Sequence, residues 1–172
     1  MKHSTMSEMI ENRIATQLDL DTVSSIVFAC ATRLGDKGLK DWSHYYTIEK
    51  LKEKLNSQNG YIFSINGNDI GVVFLSKENS GYYSPADLEK FTGAEAIYIG
   101  TLAVKPEFQH QGYASQIIDF CKNFAKQNKI NYLRLDCNKK DGPLVGFYQK
   151  RGFTVVASME KEPEYVLLEM KI

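Results

Sequence analysis

The chain has 172 residues, 43% of them hydrophobic and 24% charged, with Lys+Arg and Asp+Glu both at 21. That length suits a single domain, 1–172, with a substantial core. A net charge of zero argues against a nucleic-acid partner, which needs a positive surface. Cys30, Cys121 and Cys137 are scattered and each lies in an apolar stretch, so they read as buried thiols rather than a disulfide framework. His3, His44 and His110 are too dispersed for a metal site, and there is no HExxH. No apolar run could span a bilayer, and the first residues lack a signal-peptide pattern, so a cytoplasmic protein with no membrane partner is expected.

Residues 1–9 read as a tail, and Asn12–Gln17 as a short edge strand. Asp19 is a candidate N-cap. Leu20, Val23, Ile26, Val27, Cys30 and Leu34 then recur at helical spacing, predicting a helix over Leu20–Leu34. A second amphipathic helix is expected over Ile48–Leu55. Tyr61–Ile65 and Ile70–Ser76, joined by Asn66-Gly67-Asn68, read as a β-hairpin. The stretch 77–94 is irregular, with one helical turn expected at Ser84–Leu88, where proline is tolerated. A strand over Ala96–Val104, a helix over Gly112–Gln127, a strand over Ile130–Cys137, a helix over Leu144–Lys150 and two closing antiparallel strands (Phe153–Ser158, Tyr165–Ile172) complete a mixed α/β order.

The strand ending at Val104 feeds the helix at Gly112 through a polar turn. Such a junction suits a phosphorylated ligand, because first-turn amides are unpaired and glycine lets the backbone approach closely. Spacing alone also allows a plain helix-starting glycine. Neither GxGxxG nor GxxxxGK[ST] is present, so dinucleotide and triphosphate sites are unsupported.

Val104, Pro106, Gln109, Gly112 and Ala114 together resemble the acyl-CoA-binding motif of the GNAT superfamily of N-acetyltransferases. Leu144, Phe147, Tyr148, Gly152 and Phe153 resemble its second signature, one helix and one strand later, and the element order matches nearly the whole chain. The resemblance implies a mostly antiparallel sheet with a central parallel strand pair splayed around the cofactor and helices on both faces. It implies acetyl transfer from acetyl-CoA to a primary amine of a small molecule or peptide. Leu102 and Val104 would run beside the pantetheine, with Gln109, Gln111, Gly112, Tyr113, Ala114 and Ser115 around the pyrophosphate. The Leu102 amide would face the thioester oxygen, and Tyr148 would return a proton to the departing thiolate. Phe147 and Asn138 would attend the cofactor arm.

Two positions depart from the pattern. The asparagine common seven residues before the tyrosine is Asp141 here, with Asn138 three residues earlier. The strand positions that often hold a base read Tyr98, Ile99, Gly100 and Thr101; Glu95, His44 or water are the alternatives. On the acceptor side stand Trp42, Tyr45, Tyr46, Tyr82 and Tyr83, which could equally be lid packing or a homodimer surface. The missing base leaves a non-catalytic acyl-CoA sensor as the alternative reading.

Overall fold

The computed structural model describes residues 8–39, 42–57, 59–79, 81–93 and 95–172. Most of the tail expected at 1–9 lies outside the described residues. In chain order the elements are β1 (Glu11–Ile14), α1 (Leu20–Asp36), α2 (Ile48–Ser57), β2 (Asn59–Ile65), β3 (Asn68–Ser76), α3 (Pro85–Leu88), β4 (Ile97–Val104), α4 (Tyr113–Gln127), β5 (Tyr132–Asn138), α5 (Gly142–Lys150), β6 (Thr154–Ser158) and β7 (Tyr165–Lys171). Every expected element is present, with its ends shifted. The chain forms two compact units: Met1–Phe74 with Thr101–Ile117, and Leu75–Gly100 with Ile118–Ile172. β3, β4 and α4 each begin in one unit and end in the other.

In the first unit β1 pairs antiparallel with β2, from Glu11↔Ser64 to Ile14↔Tyr61. The turn into β3 places Asn66 and Gly67 at φ 49° and 78°. Two such central residues match the twist of a tight hairpin. The apolar stripe of α1 (Val23, Ile26, Val27, Cys30) packs with Leu51 and Leu55 of α2, Ile62 of β2, Val72 and Phe74 of β3, and Ala103 of β4. Asp19 sits at the N-cap position of α1, as expected, but makes no cap hydrogen bond to that helix. Its carboxylate turns back instead, accepting from the Thr16 amide at 2.8 Å and from Arg13 Nη1 at 2.8 Å.

In the second unit β4 runs parallel to β5 through Ile97↔Leu133 and Tyr98↔Arg134. β5 pairs antiparallel with β7 along its whole length, from Tyr132↔Lys171 to Asn138↔Tyr165, and β6 pairs antiparallel with β7. The fold is therefore mixed α/β and mostly antiparallel, with a parallel β4–β5 pair and flanking helices. Ser84 opens α3 with a capping box to Asp87, and the Asp141 side chain opens α5 by accepting from the Leu144 amide at 3.2 Å.

A buried cation, not foreseen in the sequence, ties this unit together. Arg134 Nε donates to Glu169 Oε2 at 2.9 Å, Nη1 to the Tyr98 hydroxyl at 3.0 Å and Nη2 to the Gly93 carbonyl. Its guanidinium lies 4.4 Å from the centre of the Phe91 ring, and Glu169 Oε1 accepts from the Thr92 amide at 2.8 Å. One charge neutralises the other, and each guanidinium nitrogen has an acceptor. Removing only the cation would strand a buried carboxylate, so Arg134→Met should cost about 3–5 kcal/mol in chemical denaturation. Adding Glu169→Leu should recover most of the loss. A single-variant loss no larger than that of an exposed pair would contradict the role.

Candidate functional site

In the first unit the junction is built around a distorted strand end. Thr101 has φ 51°, rare for any residue with a side chain and unusual for a β-branched one. It is buried, and its hydroxyl is hydrogen-bonded to that of Tyr46. Leu102 follows, half-buried, then Ala103 and Val104, both buried. The Val104 carbonyl accepts from Cys30 Sγ at 3.1 Å and from Gln109 Nε2 at 2.8 Å. Gln111 Nε2 donates to the Glu107 carbonyl at 2.9 Å. Both glutamine side chains thus fold the loop onto itself.

His110 and Gly112 both take positive φ, 62° and 89°. The helical ladder at this start includes the bond from the Gln116 amide to the Gly112 carbonyl at 3.3 Å. The N–H groups of Tyr113 and Ala114 therefore precede any carbonyl that α4 itself could offer. Tyr113 is buried with its ring 6.4 Å from that of Phe108, which seats the helix start, while Gln111 and Gly112 are exposed. The positive end of a 15-residue helix thus begins at this exposed, glycine-containing loop.

In the second unit Tyr148 is buried between Phe147 and Phe153, with ring centres at 5.3 Å and 5.6 Å. Burial, and then the neighbouring Cys137, Cys121, Asp136 and Asp141, hold its hydroxyl well above the usual phenol range. The two cofactor-arm alternatives also have local duties. Asn138 Oδ1 accepts from the Lys140 amide at 2.9 Å, and Asp141 caps α5.

The sequence reading passed over Asp136, on β5. The Tyr83 hydroxyl donates to its Oδ1 at 2.7 Å and the Tyr82 hydroxyl to its Oδ2 at 3.4 Å. Desolvation outweighs those bonds and pushes the carboxyl up to about 6. Tyr83 is buried, whereas Tyr82 is 40% exposed and lines a cavity of about 280 Å³ with Ser84, Asp87, Met159, Lys161 and Glu162. One signal was available in the sequence. Arg134, Asp136 and Asn138 alternate with Leu133, Leu135 and Cys137, a polar face on a strand otherwise read as apolar.

The remaining candidates separate by environment. Tyr46 is a core residue of the first unit, edge-on to Trp42 and Tyr45 at 5.4 Å and 4.8 Å. Tyr45 is 41% exposed, with Lys50 Nζ 4.5 Å from its ring centre. His44 and Glu95 are both exposed. Among the described residues no group of His, Cys, Asp and Glu could hold a metal ion.

Residues 30–172 match the family model described as "Acetyltransferase (GNAT) domain". The chain belongs to the GNAT acetyltransferase family. No curated protein matches it. Among solved structures it is similar to a GNAT-family acetyltransferase from Listeria monocytogenes, at 19% identity over 95% of each chain with a TM-score of 0.76. It is similar to PaiA N-acetyltransferase from Thermoplasma acidophilum, solved with coenzyme A, at 18% identity over 96% of this chain and 100% of that one, TM-score 0.74. A third, a GNAT-family acetyltransferase from Elizabethkingia anophelis with acetyl-CoA bound, is 20% identical over 95% and 98%, TM-score 0.62. At these identities the likeness is one of fold.

The three cysteines of this GNAT chain are all buried and free, as expected. Burial raises the thiols of Cys30 to about 11 and Cys137 to about 12, and lifts Cys121 further. A thiol reagent at pH 8 should therefore label none of them in the native protein and all three in guanidinium. Rapid native labelling would show a thiolate available for covalent chemistry.

Proposed function

We propose that residues 1–172 act as one N-acetyltransferase that moves an acetyl group from acetyl-CoA to a primary amine of a small molecule or peptide by direct attack. The observation that carries this reading is the exposed, positive-φ Gly112 at the start of α4, in a chain whose family model covers residues 30–172. The fit to acetyl-CoA rests on chemistry. A pyrophosphate needs several N–H donors and room for close approach, and an exposed Gly112 at φ 89° before first-turn amides that have no partner within the helix offers both. The similar proteins from Thermoplasma acidophilum and Elizabethkingia anophelis were solved with coenzyme A and acetyl-CoA, which supports the same donor here.

When bound, acetyl-CoA supplies an activated acyl group as a thioester. The backbone of Leu102 and Val104 would line its arm, with Asn138 and Phe147 attending it from their own elements. The Leu102 amide would donate to the thioester oxygen, a fixed dipole aimed where negative charge develops. Tyr148 would hold a proton for the leaving sulfur. Its raised hydroxyl keeps that proton at every working pH, and a sulfur in similar surroundings is shifted the same way, as the neighbouring Cys137 thiol at about 12 illustrates. Desolvation thus moves donor and acceptor together and preserves the match between them. Direct attack is favoured over a covalent enzyme intermediate because all three cysteines are buried thiols. Trp42, Tyr45 and Tyr82 would meet the amine acceptor, and no helix among the described residues is long and apolar enough to cross a membrane.

Tyr148→Phe removes one oxygen from a packed ring and leaves the Gly112 loop untouched. It should lower kcat for amine-dependent thiol release by about 10²–10⁴-fold, the range for losing a general acid, with acetyl-CoA affinity by calorimetry little changed. An unchanged kcat in a chemistry-limited assay would remove Tyr148 from this role. Binding of acetyl-CoA with no amine-dependent release by the wild type would favour the sensor reading instead.

A further inference from the structure

Acetyl transfer to an amine needs an acceptor for the ammonium proton, and the strand positions Tyr98–Thr101 supply none. This inference rests on the function proposed above and deepens it. We propose that Asp136 takes that proton, reached through the Tyr82 hydroxyl from the cavity that Tyr82 and Glu162 line.

Three observations converge on it. The first is geometric. Asp136 presents two differently served oxygens, with Oδ1 fixed by the buried Tyr83 hydroxyl at 2.7 Å and Oδ2 facing the exposed Tyr82 hydroxyl at 3.4 Å. Hydrogen bonds of a waiting proton path are often long before the substrate arrives. The second is access. Tyr82 lines a cavity of about 280 Å³, room for a small amine or the end of a larger one, whose charged lining is Glu162, Lys161 and Asp87, the last paired with Lys90. The third is the charge environment. Glu162 acts on Asp136 as a like charge, as Asp136 does on Tyr148, while Cys137 and Tyr83 stay protonated beside it. Arg134, two residues back on β5, is already committed to Glu169. With no cation acting on it among the described residues, the carboxylate is a better base than an ion-paired one.

The proton count closes. The ammonium gives one proton to the Tyr82 oxygen, the Tyr82 hydroxyl gives its own to Asp136 Oδ2, and the carboxyl later sheds it to water. The amine is left neutral with its lone pair free to attack. The driving force is reasonable. Burial alone lowers the Lys54 amine of this same chain to about 8, and a comparable loss of water would bring a bound acceptor to about 2 pKa units above the Asp136 carboxyl at about 6.

The test is the pH dependence of kcat for Asp136→Asn and Tyr82→Phe, by thiol release from acetyl-CoA with a primary alkyl amine. Asparagine keeps an acceptor for Tyr83, so the fold should hold, and circular dichroism checks it. The wild-type rate should rise through about pH 6 and then level. Asp136→Asn should lose about 10-fold or more at pH 7, and the deficit should shrink about tenfold per pH unit until the bound amine's own pKa, near 8 by comparison with Lys54, is reached. Tyr82→Phe should show the same trend with a smaller loss. A deficit constant across pH would mark Asp136 as merely structural, and a variant with the wild-type profile would overturn the inference while leaving the acetyltransferase reading intact. Failure of that reading shows separately: the wild type itself would release no thiol with any amine, which removes both.

Discussion

A single hydrogen bond between two buried hydroxyls, Tyr46 on Thr101, holds β4 in a conformation it would not choose. A β-branched residue at φ 51° carries strain on the order of 1–3 kcal/mol, and it persists only where its surroundings over-determine it. Tyr46 does so from within the core of the first unit, where α1, α2, β2 and β3 all contribute apolar neighbours. The consequence falls on the next residues. A left-handed residue rotates the following peptide, so the amide of Leu102 points where a regular strand would not send it. The Val104 carbonyl, braced by Cys30 and Gln109, fixes the strand end before the turn to Gly112. The Gly112 loop is therefore anchored by the same core that fixes the kink.

The second unit treats charge in two opposite ways on one strand. Arg134 is buried, paired and stacked, with an acceptor at each guanidinium nitrogen, so its charge is neutralised and its position fixed. Asp136, half-buried on the same face of β5, receives two tyrosine hydroxyls and a backbone hydrogen bond, and desolvation raises its carboxyl from 3.8 to about 6. Linkage gives the sign. Asp136 favours the folded state while protonated, below its unfolded value, and that contribution is lost as pH rises through about 6. At neutral pH the fold therefore carries an ionised carboxylate at a cost, a pattern more common where a group acts than where it only supports.

The elements were legible because their patterns are local. The 3.6-residue stripe of α1, the Asn66-Gly67 turn and the Ser84-Pro85 helix start each depend on residues a few positions apart. The Gly112 loop was legible because glycine and its flanking motif name a backbone requirement directly. What escaped depends on distant partners. Nothing near Thr101 announces a positive φ, since the residue that holds it, Tyr46, lies 55 positions away. Asp136 becomes a raised, hydroxyl-held carboxyl only when Tyr83, 53 positions back, folds onto it. Gln109 and Gln111 were read as ligand contacts from their place in the motif, and only the folded loop shows their side chains turned inward to brace it.

The central claim is that this GNAT chain binds acetyl-CoA through its Gly112 loop and spends the thioester on an amine. Calorimetric titration with acetyl-CoA, followed by thiol release against a panel of small amines and peptide N-termini, tests it most directly. The account predicts saturable binding and release driven by one amine class. No binding at all would contradict it, and would reduce Gly112 to a glycine that only begins a helix.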